Sequence, residues 1–180
     1  MKKFMLPFFL LCWTAAASAQ SVPPSQSPAS APGMTLQRLA QIVQALDPEV
    51  IARGPALEFT LDDIPIIVIA DQRADRMRAM VPIAGVEDLG EADMLRLMQA
   101  NFDAALDARY AVAHGRLWGV FIHPLSPLEK DQFLSGLVQT ITIAKTYGTG
   151  YTSGAAIFGG GDSNGIYQDL LEELRKKGEA

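Results

Sequence analysis

The sequence predicts an α+β domain with a sheet of about five strands, and three stretches of it carry that expectation. Between 110 and 144 the chain reads as a strand, the tight turn His114-Gly115, a second strand ending at Ile122, a proline corner at Pro124, and a long amphipathic helix. From 56 to 84, short β-branched and alternating runs broken by polar turns form a three-stranded meander. Ahead of both, Leu36, Leu39, Ile42, Val43 and Leu46 recur at three- and four-residue intervals, which places them on one helical face.

The first 33 residues stand apart. Lys2 and Lys3 precede an apolar run from Phe4 to Trp13 and the small-x-small pattern Ala17-Ser18-Ala19, so residues 1–19 read as a signal peptide cleaved after Ala19. Cys12, the single cysteine, lies inside it; a lipoprotein reading of Leu10-Leu11-Cys12 fits poorly because Leu11 is bulky. The mature chain then has no thiol for catalysis, disulfides or zinc. Residues 20–33 are rich in Pro and Ser, with too few apolar side chains to bury, and read as a disordered tether. The expected destination is the periplasm or the exterior.

The whole chain has 15 basic and 20 acidic residues; without Lys2 and Lys3 the balance is 13 against 20, a net charge of −7. Such a balance argues against a nucleic-acid partner, which needs a basic face. No stretch approaches the roughly 20 apolar residues of a membrane span, so an integral membrane protein is not expected.

In order, Thr35 N-caps the first helix and Asp47-Pro48 ends it. Leu57, Phe59 and Leu61 then alternate with Glu58 and Thr60, Asp62-Asp63 turns, and Ile64 to Ala70 forms a second strand, which Pro65 marks as an edge or a strand start. After a polar loop, Met77, Ala79, Val81 and Ile83 make a third. Asp88 and Glu91 have capping-box spacing, opening a helix with Met94, Leu95, Leu97, Met98 and Phe102 on one face. Past the hairpin, Ser126-Pro127-Leu128-Glu129 is the opening signal of a helix whose stripe is Phe133, Leu134, Leu137, Val138 and Ile141. The domain is thus expected over 34–144. Glycines crowd 145–165, a flexible connector, and 166–180 is an amphipathic helix with Ile166, Leu170, Leu171 and Leu174 on one side.

This element order, with Leu97-Met98-Gln99-Ala100-Asn101-Phe102 before the hairpin and Tyr110-Ala111-Val112-Ala113-His114-Gly115-Arg116-Leu117 within it, resembles the YbjN family of putative sensory transduction regulators. That family is similar in fold to the type III secretion chaperones. The resemblance implies an antiparallel sheet with helices mainly on one face, often a homodimer, and no catalytic residues. This chain departs from the chaperones in carrying its own export signal.

No chemical constellation emerges from the remaining motifs. His114 and His123 lack companion ligands and read as a turn residue and a strand-end residue. Ser153 lacks the glycine two positions before it that a nucleophile elbow requires. Lys145-Thr146 precedes its glycines, the reverse of a P-loop, and Asp162-Ser163-Asn164-Gly165 lacks the distant glutamate of a calcium loop. No cofactor or metal is expected.

Two interaction surfaces are expected instead. One is the Leu face of the terminal helix, which is too short to stand alone and either docks on its own domain or enters a partner's groove. The other is the sheet face bearing Trp118, Val120 and Ile122, if the helices cover the opposite one. The expected function is an exported, non-enzymatic module that binds a protein or peptide. An envelope hydrolase with an unrecognised site and a structural envelope protein stay open as alternatives.

Overall fold

The computed structural model describes residues 33–103, 106–147 and 162–179. The stretch expected to be a signal peptide, nearly all of the expected tether and most of the expected glycine connector, Ser153 included, lie outside them. Helix α1 (Leu36–Leu46) is followed by strands β1 (Ile51–Arg53), β2 (Ala56–Leu61), β3 (Ile64–Asp71) and β4 (Arg76–Gly85). A 3₁₀ turn, Val86–Asp88, leads to α2 (Glu91–Asp103), the hairpin β5 (Arg109–Ala113) and β6 (Arg116–Pro124), α3 (Lys130–Lys145) and α4 (Asp162–Glu179). The strands form one antiparallel sheet in the order β1-β2-β3-β4-β6-β5. The α+β class stands, with six strands in place of about five.

Both hairpin turns expected from the sequence form in left-handed backbone. Asp62 and Asp63 have φ of 52° and 61°, and His114 and Gly115 have 52° and 69°. Two successive residues of positive φ match the right-handed twist of the strands they join, as type I′ turns do.

The core lies between one face of the sheet and the helices. Leu57, Phe59, Leu61, Ile66, Val68, Met77, Ala79, Val81 and Phe121 point into it from four strands. Helix α3 crosses above them with Phe133, Leu134, Leu137, Val138 and Ile141 fully buried, the stripe its spacing predicts. Its buried threonines stay satisfied by bonding back one turn: Thr140 Oγ1 donates to Gly136 O at 2.6 Å and Thr142 Oγ1 to Val138 O at 2.8 Å. A second, smaller cluster joins Leu97 and Ala100 of α2 to Tyr110 and Leu117 of the hairpin.

Five sequence expectations need correction. Strand β1 was not foreseen; its three residues are all exposed, so no burial pattern marks it. Helix α3 begins at Lys130, not at Ser126, with Glu129 as its N-cap and Gln132 completing the capping box. Ser126 is engaged elsewhere: its N–H and Oγ donate to the Asp75 carboxylate at 2.6 and 2.8 Å. In α2, Leu97 is buried but Leu95, Met98 and Phe102 are 63%, 55% and 79% exposed, so the expected single buried face is split. Helix α2 opens with Gly90 N–H donating to Asp93 Oδ2, not with an Asp88–Glu91 box. Helix α4 starts at Asp162, four residues before the expected Ile166.

Candidate interaction face

The hydrogen-bond register decides which residues share a face, because cross-strand partners point the same way. Met80 lies opposite Ile67 on one side and Val120 on the other, and Val120 lies opposite Arg109. In the next row Ile69, Arg78 and Ile122 are aligned, and in another Pro82, Trp118 and Ala111. None of these residues is buried. Their alternates, Leu117, Gly119 and Phe121 on β6 and Ala79 and Val81 on β4, are buried on the helix side. Among the described residues the sheet therefore has one face under helices and one face open, and Trp118, Val120 and Ile122 lie on the open one.

That open face has an apolar centre: Ile67, Ile69, Met80, Val120 and Ile122 from β3, β4 and β6, with Ile122 56% exposed. Trp118 borders it, its indole tied back to the hairpin by Nε1–H donating to Ala113 O at 3.0 Å. A protein surface seldom leaves so contiguous an apolar patch uncovered unless something binds there.

Strand β5 is the sheet edge beside this face, and a side chain occupies part of it. Asn101 on α2 accepts the Tyr110 N–H at 2.7 Å through Oδ1 and donates to Tyr110 O at 3.1 Å through Nδ2. The amide thus takes the place a neighbouring strand's peptide group would take, blunting an otherwise open edge. In the sequence Asn101 stands out only as part of the stretch Leu97 to Phe102 before the hairpin.

The terminal helix is placed differently. Leu170, Leu171 and Leu174 are 6%, 7% and 1% exposed and belong to the main core. Lys130 Nζ donates to Gly178 O at 2.6 Å and Tyr167 OH meets Ser135 Oγ at 2.8 Å, so α4 is laid along α3. In this conformation the helix docks on its own domain. The side chain of Ile166 lies outside the described residues.

The other motifs resolve as structure. Asp62 pairs with Lys145, joining the β2–β3 turn to the end of α3. His123 stacks on Phe121 with ring centres 5.9 Å apart, and its Nδ1 donates to Pro124 O at 2.7 Å. An open cleft of about 330 Å³ is lined by Asp107, Phe121, His123, Asp131, Gln132 and Ser135. Its hydroxyl is not paired with its imidazole, for Ser135 Oγ accepts from Gln139 Nε2 at 3.1 Å and bonds Tyr167. Among the described residues no group of His, Asp or Glu is arranged to hold a metal ion, and no helix is long and apolar enough to cross a membrane.

Among solved structures, a chain of the ExsC-ExsE complex matches 60% of this chain and 91% of its own length, at 13% identity and a TM-score of 0.48. A chain of the HopA1-SchA chaperone-effector complex matches 61% of this chain and 95% of its own, at 8% identity and a TM-score of 0.46. At such identities and scores these are likenesses of fold alone. No family model matches the chain and no curated protein does, so the YbjN resemblance rests on sequence pattern.

Proposed function

We propose that this chain is an exported, non-enzymatic binding module that holds a segment of another protein on the open face of its sheet. One observation carries the reading: three neighbouring strands present Ile67, Ile69, Met80, Val120 and Ile122 on a face that no described helix covers. Apolar residues at alternating strand positions suit an extended segment, whose own side chains repeat with the same period of two. The guarded edge at Tyr110 favours the face over strand addition at β5. Export follows from the leader-like residues 1–19, and the kinship proposed is with the YbjN family.

The experiment is capture from the cell envelope by the mature protein, run beside Trp118→Ala and Ile122→Ser. Point substitutions are the right tool, because a truncation at Ala144 would also remove Leu170, Leu171 and Leu174 from the core. A specific protein held by the wild type and lost by both variants, with circular dichroism unchanged, supports the reading. Capture that both variants retain in full overturns it.

A further inference from the structure

The open face differs in charge from the molecule that carries it. The chain as a whole has a net charge of −5. On the open face the register collects Arg53, Arg76, Arg78, Arg109 and Arg116, against two carboxylates, Glu58 and Asp71. All five arginines are exposed. Arg53 is paired with Glu58 at 3.2 Å and Arg76 acts on the neighbouring Asp75 carboxylate, while Arg78, Arg109 and Arg116 form no salt bridge among the described residues. Arg76 and Arg109 direct guanidinium N–H groups to backbone carbonyls of their own loops, at Asp75 and at Leu106 and Ala108. Arg78 lies between Ile69 and Ile122 in one cross-strand row, and Arg109 beside Val120.

We infer that the partner segment is acidic: an extended polypeptide stretch in which apolar side chains alternate or mingle with Asp and Glu. This inference rests on the open face being the binding surface, and it names the chemistry of what binds there. The apolar centre supplies contact area, and the unpaired arginines supply fork-shaped donors that match carboxylates. Because the rest of the molecule is acidic, an acidic segment is drawn to this face and repelled elsewhere, which orients it. An anionic membrane surface would exploit the same residues less well. Sinking Ile69 and Ile122 into the acyl region would carry Arg78, which sits between them, in as well, with no counter-charge at that depth.

The test uses two labelled synthetic peptides of identical Leu/Val alternation, one with Glu and one with Lys at the intervening positions, titrated by fluorescence anisotropy with the mature protein. Anionic and neutral lipid vesicles serve as the third probe. The expected result is that the Glu peptide binds at least roughly tenfold more tightly than the Lys peptide at low salt, the preference fading toward about 0.5 M salt. Arg78→Glu and Arg116→Glu, each folded by circular dichroism, are expected to erase that preference, and Arg78→Lys to retain most of it. Equal binding of both peptides, lost with Trp118→Ala, overturns the acidic partner while leaving the face as a binding surface. Binding of neither peptide with tight binding to anionic vesicles overturns it in favour of a membrane. Binding of none of the probes overturns the inference and the underlying reading together.

Discussion

Gly136 on α3 sits directly over the ring of Phe121 on β6: a Cβ placed on it would lie 2.5 Å from two ring carbons. One turn further along, Gly119 on the same strand makes room for Ile143 and Thr140 O, 3.1 and 3.2 Å from where its Cβ would be. Two glycines, one on each element, set how closely the central helix approaches the sheet, and that closeness is what makes the stripe of α3 fully buried. Phe121 is itself 4% exposed and has no room to retreat.

Gly136→Ala is therefore expected to destabilise, although alanine is the better helix former by about 1 kcal/mol. Overpacking of a close-packed core costs about 1–3 kcal/mol, enough to outweigh that gain. Thermal denaturation of Gly136→Ala, Phe121→Leu and the double variant checks it: the double variant should recover part of the loss, and simple additivity would contradict the contact.

Asn101→Leu keeps the approximate volume of the side chain but removes both hydrogen bonds to Tyr110. The loss of two part-buried bonds is expected to cost about 1–3 kcal/mol. It also removes the side-chain partner of the Tyr110 N–H and C=O on an edge strand, so sedimentation at rising concentration should detect self-association beyond that of the wild type. A variant that stays as stable and as monodisperse as the wild type would refute the edge role.

The Asp75 carboxylate, held by the N–H and then the hydroxyl of Ser126, is pushed below its usual pKa of 3.8. A group whose folded pKa is depressed adds stability above its unfolded pKa and loses it as pH falls through the lowered value. Asp75→Asn should lower the midpoint of thermal unfolding at neutral pH. The difference from wild type should shrink below about pH 4, where the unfolded carboxyl begins to protonate. A difference that persists unchanged to pH 2 would assign the effect to packing.

Leu174→Ala tests the terminal helix. At 1% exposure Leu174 is as deep as the residues of α3, and truncating a buried leucine costs about 2–5 kcal/mol. Chemical denaturation should detect a loss of that order, in one transition shared with the rest of the domain. A separate early transition for α4, with the domain's stability untouched, would mean that the helix is an appendage.

How much of this could be read beforehand depended on whether the cause was local. The turn at His114-Gly115, the spacing of Phe133 to Ile141 and the cap at Thr35 are local, and they stand as read; Thr35 Oγ1 accepts the Arg38 N–H at 3.1 Å. The start of α3 was misplaced because Ser126 answers to Asp75, 51 residues away, and no window around Ser126 contains that competitor. Strand β1 has neither alternation nor length, and forms only because β2 offers an edge to pair with. In α2, spacing alone put Leu95, Met98 and Phe102 with Leu97, but β5 and β6 cover only the side bearing Leu97 and Ala100.

By itself, the sequence determined the α+β class, the hairpin turns, the buried stripe of α3 and the absence of a catalytic motif in its local patterns. Each of these depends on residues close enough along the chain to act through backbone geometry or a single face. Only the tertiary structure decided which side of the sheet is open. A period of two makes Trp118, Val120 and Ile122 alike and Leu117, Gly119 and Phe121 alike, but says nothing of which set the helices will cover. The choice was made where α3 could settle closely, over Gly119 and against Phe121 through Gly136, and the same choice left five arginines around an uncovered apolar face.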